Sequence, residues 1–261
     1  MPKTTRKTAP PSSRPHAREA GYFGYQKVDP KKKAKLVKDV FDSVAPSYDL
    51  MNALMSGGIH RLWKRKFVAL LAPKAGEAVL DVAGGTGDIA FLIHKCSPKT
   101  KVTLCDINES MLRVGRDRAI DRGQLKTFRY VVGNAEALPI KSASLDAYTI
   151  SFGLRNVTDI DAALREAARV LKPGGRFFCL EFSRVRPVLR PLYDIYSFAV
   201  LPALGKYVAR DAASYQYLAE SIRQFPPQEE LAERMSAAGL SDAQYTNLSG
   251  GIAAIHQAVR K

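Results

Sequence analysis

Two hydrophobic periods alternate along most of this chain. Short apolar, β-branched runs predict strands over Ala78–Ala83, Lys101–Asp106, Thr127–Val132, Leu145–Phe152 and Arg176–Phe182. Between them, apolar positions recur at helical spacing over Asp88–Cys96, Glu109–Arg122 and Asp159–Leu171. Strands separated by helices of this length imply right-handed crossovers, hence an α/β fold with a mostly parallel sheet and helices on both faces. Pro173-Gly174-Gly175 supplies the turn before the last of these strands. Gln228–Ala238 predicts another helix. Asp242–Leu248 and Ile252–Val259, joined by Ser249-Gly250-Gly251, read as a closing hairpin that adds an antiparallel strand.

The segments around the sheet read differently. Residues 1–30 are rich in Pro, Ser and basic groups and predict a disordered arm. Residues 31–72 read as a helical lead-in or lid, with helices over Lys32–Phe41, Asn52–Met55 and Arg61–Leu71, stopped by Pro73. Residues 73–261 hold the α/β domain. Within it, residues 186–225 break the alternation with an aromatic stretch interrupted by Pro187, Pro191 and Pro202, which reads as a helical insertion.

Charge adds one feature to this picture. The chain carries 40 Lys and Arg against 25 Asp and Glu, a net +15. About half of the excess lies in the first 35 residues. A basic arm suits a solubilising tail, an anionic membrane, a nucleic acid or an organelle transit peptide. No apolar run approaches the roughly 20 residues of a spanning helix. The first 20 residues lack the apolar core of a secretory signal. Cys96, Cys105 and Cys179 form no C-x-x-C pair, and the four histidines are scattered. Reduced thiols and no metal site are expected.

The chemistry concentrates after the first strand of the sheet. In Val79-Leu80-Asp81-Val82-Ala83-Gly84-Gly85-Thr86-Gly87-Asp88, an apolar run ends in an acid and a glycine-rich turn. Glycines let the backbone approach a ligand closely, and the helix opening at Asp88 offers unpaired N–H groups. Gly85–Ala90 fits the dinucleotide pattern G-x-G-x-x-A, while Asp81–Gly87 fits an acid-x-x-Gly-x-x-Gly loop for S-adenosyl-L-methionine. Asp106, ending the second strand, suits the ribose of either. Gly133-Asn134-Ala135-Glu136 after the third strand, Leu145-Asp146 opening the fourth, and Leu171–Arg176 before the fifth favour the methyl donor. In this order and spacing, residues 75–260 resemble class I S-adenosylmethionine-dependent methyltransferases. That implies their Rossmann-like sheet, with the hairpin supplying its reversed strand.

The flanks resemble a narrower group. Phe23-Gly24-Tyr25-Gln26, Phe41–Asn52, Met55–Lys64, Ser151-Phe152-Gly153-Leu154-Arg155-Asn156-Val157, Arg169–Ser183 and Ser214–Ile222 are similar to the ubiquinone/menaquinone biosynthesis C-methyltransferases. The resemblance covers about residues 22–260 and excludes the part of the arm before Tyr22. It implies methylation of a ring carbon of a polyprenylated quinol, either a demethylmenaquinol or a methoxy-benzoquinol, without a metal. It also implies cofactor contacts at Asp81, Gly84, Gly85, Thr86, Gly87, Asp106, Asn134, Ala135 and Ser151. Arg155 is the candidate for the proton step. Its guanidinium is too basic to act as a base itself, so it would orient a water and stabilise the phenolate. The other reading of Arg155 is a strand-end ion-pair partner. Asn156 would hold a ring oxygen. His60 and Tyr48 are the other candidate proton acceptors, though a His after Gly57-Gly58 also suits a turn or lid. The expected partners are the quinol, the inner face of a membrane, and a homodimer or quinone-biosynthesis complex. Nucleic acid is not expected, since no Asn/Asp-Pro-Pro-Tyr loop follows the fourth strand. The location implied is cytoplasmic and peripheral to the membrane, or the mitochondrial matrix in a eukaryote.

Overall fold

The computed structural model describes residues 22–44, 56–189, 191 and 212–261. Tyr48, the expected helix over Asn52–Met55 and most of the aromatic insertion lie outside them. Residues 22–27, assigned above to the arm, form a two-stranded hairpin, β1 (Tyr22–Phe23) and β2 (Gln26–Lys27). Helix α1 (Pro30–Val44) follows, then α2 (His60–Leu71).

The sheet is built from β3 (Ala78–Val82), α3 (Asp88–Cys96), β4 (Lys101–Asp106), α4 (Glu109–Asp121) and β5 (Phe128–Val132). It continues through β6 (Leu145–Ser151), α5 (Ile160–Val170), β7 (Leu171–Phe182), α6 (Ala212–Gln224), α7 (Gln228–Ala237), β8 (Leu240–Leu248) and β9 (Ala253–Arg260). The strand order is β5-β4-β3-β6-β7-β9-β8. β3 to β7 pair in parallel, and β9 is antiparallel to both β7 and β8. The predicted class I architecture is therefore present, with β9 as its reversed strand.

Boundaries follow the sequence signals closely. Asn108 and Asp159 cap α4 and α5 by accepting from the N–H groups of Met111 and Ala162. One strand starts earlier than expected. β7 pairs first at Leu171 and then at Arg176, so Pro173-Gly174-Gly175 forms a bulge in the ladder.

Both faces of the sheet are covered, which explains the nearly continuous apolar strands. Along β7, Phe178 and Leu180 join a core with Phe67, Leu71, Ile93 and Leu112 from α2, α3 and α4. Phe177 and Cys179 point the other way, into a core with Leu164, Leu231 and Met235 from α5 and α7. Cys105 and Cys179 are buried free thiols whose ionisation burial pushes up, Cys105 to about 12. Cys96 is exposed. No described helix is long and apolar enough to cross a membrane.

Candidate active site

β3 and β6 lie side by side, and the loops leaving their carboxyl ends diverge to opposite sides. A crevice at such a switch point is where α/β sheets bind ligands. The loop after β3 bends tightly, with left-handed backbone at Ala83, Gly85 and Gly87 (φ 51°, 49° and 86°). Gly115 of α4 packs against it so closely that a Cβ there would lie 2.9 Å from the Gly85 carbonyl oxygen. Asp106 ties the loop down from β4. Its Oδ2 accepts from Gly85 N–H at 2.9 Å and its Oδ1 from Asn108 N–H at 2.8 Å. Burial pushes this carboxyl up to about 6, against the pull of those amides.

Asp81, Ala83–Thr86, Asp88, Ser151 and Lys64 surround one small cavity beside the loop. Asp81 Oδ1 accepts from the Thr149 hydroxyl at 2.8 Å. Its Oδ2 is buried and meets no partner among the described residues, and the same holds for Ser151 Oγ. Burial raises the Asp81 carboxyl to about 7, with Thr149 and Lys64 opposing. A Cβ on Gly84 would lie 3.2 Å from the unpartnered Asp81 oxygen and would narrow the cavity. Lys64 pairs with Asp88 at 2.7 Å, and Arg118 joins it at 3.4 Å. Burial would raise the Asp88 carboxyl, but these cations outweigh it and hold the group below its ordinary value.

A larger cleft continues from Gly85 and Asp106 past Asn134 and Ala135 to Phe152 and Asn156. Asn134 shapes its own turn by accepting from Glu136 N–H at 3.0 Å. Helix α1 covers this cleft with Val37 and Lys38. Lys33 Nζ donates to the Val157 carbonyl at 2.7 Å, and Asn108 Nδ2 donates to Asp42 at 2.9 Å. The lead-in thus clasps the cleft from both sides.

The turn after β6 holds Arg155 and Asn156 on one 3-10 segment, Leu154–Asn156, behind a left-handed Phe152 (φ 55°). Arg155 donates to Glu181 Oε1 at 2.9 Å from its guanidinium and to Oε2 at 3.3 Å from its backbone N–H. Its side chain is 6% exposed, that of Glu181 1%. Burial raises the Glu181 carboxyl, with Arg155 opposing. The ion-pair reading of Arg155 is therefore present in the structure, and the Arg155 side chain lines neither cavity. Asn156 does line the cleft, and its Oδ1 accepts from the Tyr217 hydroxyl at 3.0 Å. Tyr217 stacks on Phe23, with ring centroids 4.3 Å apart. Burial pushes its phenol up to about 12. His60 is not brought to either cavity. Its Nδ1 lies 2.7 Å from Ser56 Oγ, and it faces a groove between α2 and α3. Trp63, on the same helix, is buried and donates to Ser249 Oγ at 3.0 Å.

Glu181 and Tyr217 were not singled out from the sequence. A signal for Glu181 existed: an acid inside the apolar run Arg176–Phe182 demands a buried partner. Tyr217 had none beyond membership of the Ser214–Ile222 segment.

The profile of the ubiE/COQ5 methyltransferase family matches residues 27–260. The chain belongs to this family. A relative from Xylella fastidiosa named ubiquinone/menaquinone biosynthesis C-methyltransferase UbiE is 58% identical over 90% of this chain and 94% of its own. The mitochondrial 2-methoxy-6-polyprenyl-1,4-benzoquinol methylase of Arabidopsis thaliana is 51% identical over 91% and 89%. A SAM-dependent methyltransferase structure from Thermotoga maritima shares the fold with a TM-score of 0.62. It is 20% identical and covers 86% of this chain and 100% of its own. The protein is an S-adenosylmethionine-dependent C-methyltransferase.

The cavities of this methyltransferase fit that cofactor. The unpartnered Asp81 oxygen suits its ammonium group, and the missing Cβ of Gly84 leaves room beside it. Asp106 retains acceptor capacity for a ribose diol. Asn134 and Ala135 line the cleft that continues from Asp106. Among the described residues no cluster of His, Cys, Asp or Glu could hold a metal ion.

Proposed function

We propose that this enzyme methylates a ring carbon of a polyprenylated quinol, a demethylmenaquinol, a 2-polyprenyl-6-methoxy-1,4-benzoquinol, or both. The observation that carries this reading is near-full-length identity above 50% to two relatives named for that chemistry. S-adenosylmethionine supplies a methyl group already activated by its positive sulfur.

The chain's own residues then have three tasks. Asp81, Thr86, Asp106, Asn134, Ala135 and Ser151 bind the donor, while Gly84, Gly85 and Gly87 let the backbone close on it. α1 and Phe152 exclude water from the cleft. Asn156, held by Tyr217, takes a ring oxygen of the quinol. Arg155, paired with Glu181 behind the cleft wall, acts through its charge rather than by contact with the ring, orienting the water that removes the phenolic proton and stabilising the phenolate. Loss of that proton makes the ortho carbon nucleophilic towards the methyl, and the hydrogen on that carbon then leaves as a proton to the same acceptor, so that the ring becomes aromatic again and its oxygen regains a proton. Holding the two reactants in line supplies roughly 7–11 kcal/mol of the barrier, and a placed proton acceptor typically adds about 10²–10⁴-fold. Tyr48 and His60 stay as alternative acceptors, His60 only if the cleft closes further than it does here.

In this reading the enzyme works at the inner face of a membrane, where its prenylated substrate resides, as a homodimer or within a quinone-biosynthesis complex. The compartment is the cytoplasm of a bacterium or the matrix of a mitochondrion. Quinone profiling of cells lacking the gene tests the substrate. Accumulated demethylmenaquinone, or a ubiquinone precursor lacking its ring methyl, is expected. An unchanged quinone profile would overturn the proposal.

A further inference from the structure

Away from the active site, α2, α3 and the end of α4 enclose a groove of about 570 Å³. Arg61, Lys64, Arg65, Lys95 and Arg122 line it, against the single carboxylate of Asp88. Asp88 is already paired with Lys64 and Arg118. Arg122 lies over the Phe91 ring, 4.1 Å from its centroid, which fixes one guanidinium at the wall. Arg61, Arg65 and Lys95 are exposed and have no carboxylate partner among the described residues. A concave site lined by one sign of charge concentrates counter-ions, and guanidinium clusters match the geometry of phosphate.

The same helix has a second exposed property. Ile59, Leu62 and Leu70 are 37%, 58% and 39% exposed, with Lys66 among them. Exposed apolar side chains beside cations form the surface of a helix that lies in a membrane interface. Free phosphate or a nucleic acid would use the cations but leave the apolar stripe without a purpose.

We propose that this face of α2 and its groove dock the enzyme on an anionic lipid bilayer. The groove takes a phosphate headgroup, and Ile59 and Leu62 enter the acyl boundary. The inference gives the membrane contact suggested above a location distinct from the basic arm. It rests on that reading, yet its test involves no methyl transfer, so the two can fail separately.

The experiment is sedimentation of the full chain with vesicles of phosphatidylcholine alone or with phosphatidylglycerol. Each cation near such a surface contributes roughly fivefold to partitioning, so the triple variant Arg61→Gln, Arg65→Gln, Lys95→Gln should bind anionic vesicles about a hundredfold less tightly. Leu62→Gln should weaken binding several-fold and leave its salt dependence unchanged. Both variants should keep the wild-type melting temperature and donor affinity. Unchanged partitioning of the triple variant would overturn the proposal, because the arm alone would then carry the attachment. It would fail equally if glycerol 3-phosphate or an oligonucleotide saturated the groove while vesicles of either composition did not bind.

Discussion

Arg155→Ala is the substitution that tests the proton step most directly, and the structure says how it will mislead. The Arg155 and Glu181 side chains are almost fully buried together. Removing one partner of such a pair leaves an uncompensated charge and costs about 3–5 kcal/mol. Here Glu181 keeps two donors, the backbone N–H groups of Arg155 at 3.3 Å and Phe182 at 2.9 Å. The loss should therefore sit near the lower end, about 3 kcal/mol. It should also depend on pH. The Glu181 carboxyl is already raised in the folded protein, and without Arg155 it rises further. A carboxyl raised on folding favours the folded state below its unfolded value and loses that contribution as pH climbs through its folded value. The deficit of Arg155→Ala should thus be smallest below about pH 4 and grow towards neutrality.

Low turnover of this single variant is consequently no proof of catalysis. The informative variant is the double substitution Arg155→Met, Glu181→Leu, which replaces the pair by apolar groups of similar length. Such replacements are often neutral or stabilising, so its urea midpoint should return close to wild type. If Arg155 stabilises the phenolate, turnover of the double variant should stay down by about 10²–10³-fold with cofactor affinity intact. Turnover within a few-fold of wild type would refute the catalytic role and leave the pair structural. A denaturation deficit below about 1 kcal/mol for Arg155→Ala would refute the burial argument itself.

Three further outcomes follow from the cavities. Gly84→Ala places a Cβ 2.9 Å from the Asp81 carbonyl oxygen, a backbone clash that should lower the melting temperature, and the shifted loop should weaken S-adenosylhomocysteine binding at least tenfold, about 1.4 kcal/mol by calorimetry on the folded variant. Because the Asp81 carboxyl titrates at about 7 and its anion is the form that pairs with an ammonium, donor affinity should rise as pH passes upward through that value. Asp81→Asn should flatten the profile, and parallel profiles would remove Asp81 from the site. Lys33→Met cuts the 2.7 Å bond to Val157 and should speed S-adenosylhomocysteine release roughly ten- to a hundredfold in stopped flow, as expected for one charged hydrogen bond. An unaltered release rate would mean that α1 does not gate the cleft.

What the sequence made legible, and what it hid, divides along contact range. α3 and β4 lie where the hydrophobic periods put them, because both are local consequences of which face is buried. Asp106 and the glycine loop were visible too, since strand ends and tight turns carry their own residue types. An ion pair at Arg155 was one of the readings, but Glu181 as its partner was not legible, because the pair spans 26 positions and is decided by the register of β6 against β7. The clasp of Lys33 on Val157 crosses 124 positions and leaves no periodic trace. Phe23–Gln26 carried the family resemblance, but their pairing as the β1–β2 hairpin was hidden in a basic, proline-rich context. It is held by contacts that arrive late in the chain, such as Tyr25 N–H donating to Glu220 at 3.0 Å.

Those long contacts join the two halves of the site mechanically. Gly153 meets Ala83 across the crevice so tightly that a Cβ on it would lie 2.3 Å from the Ala83 Cβ. Ala83 is itself held in a left-handed conformation at the start of the glycine loop. Two residues further along the other loop, Arg155 is anchored to Glu181 on β7 by side chain and backbone. The turn carrying Asn156 therefore cannot shift without pressing on the loop that shapes the donor cavity. Close-packed contacts of this kind transmit displacement rather than absorb it. In the proposed reaction, donor and quinol ring would be aligned by one rigid seam between β3 and β6, to which α1 is fastened at both edges through Lys33 on Val157 and Asp42 on Asn108.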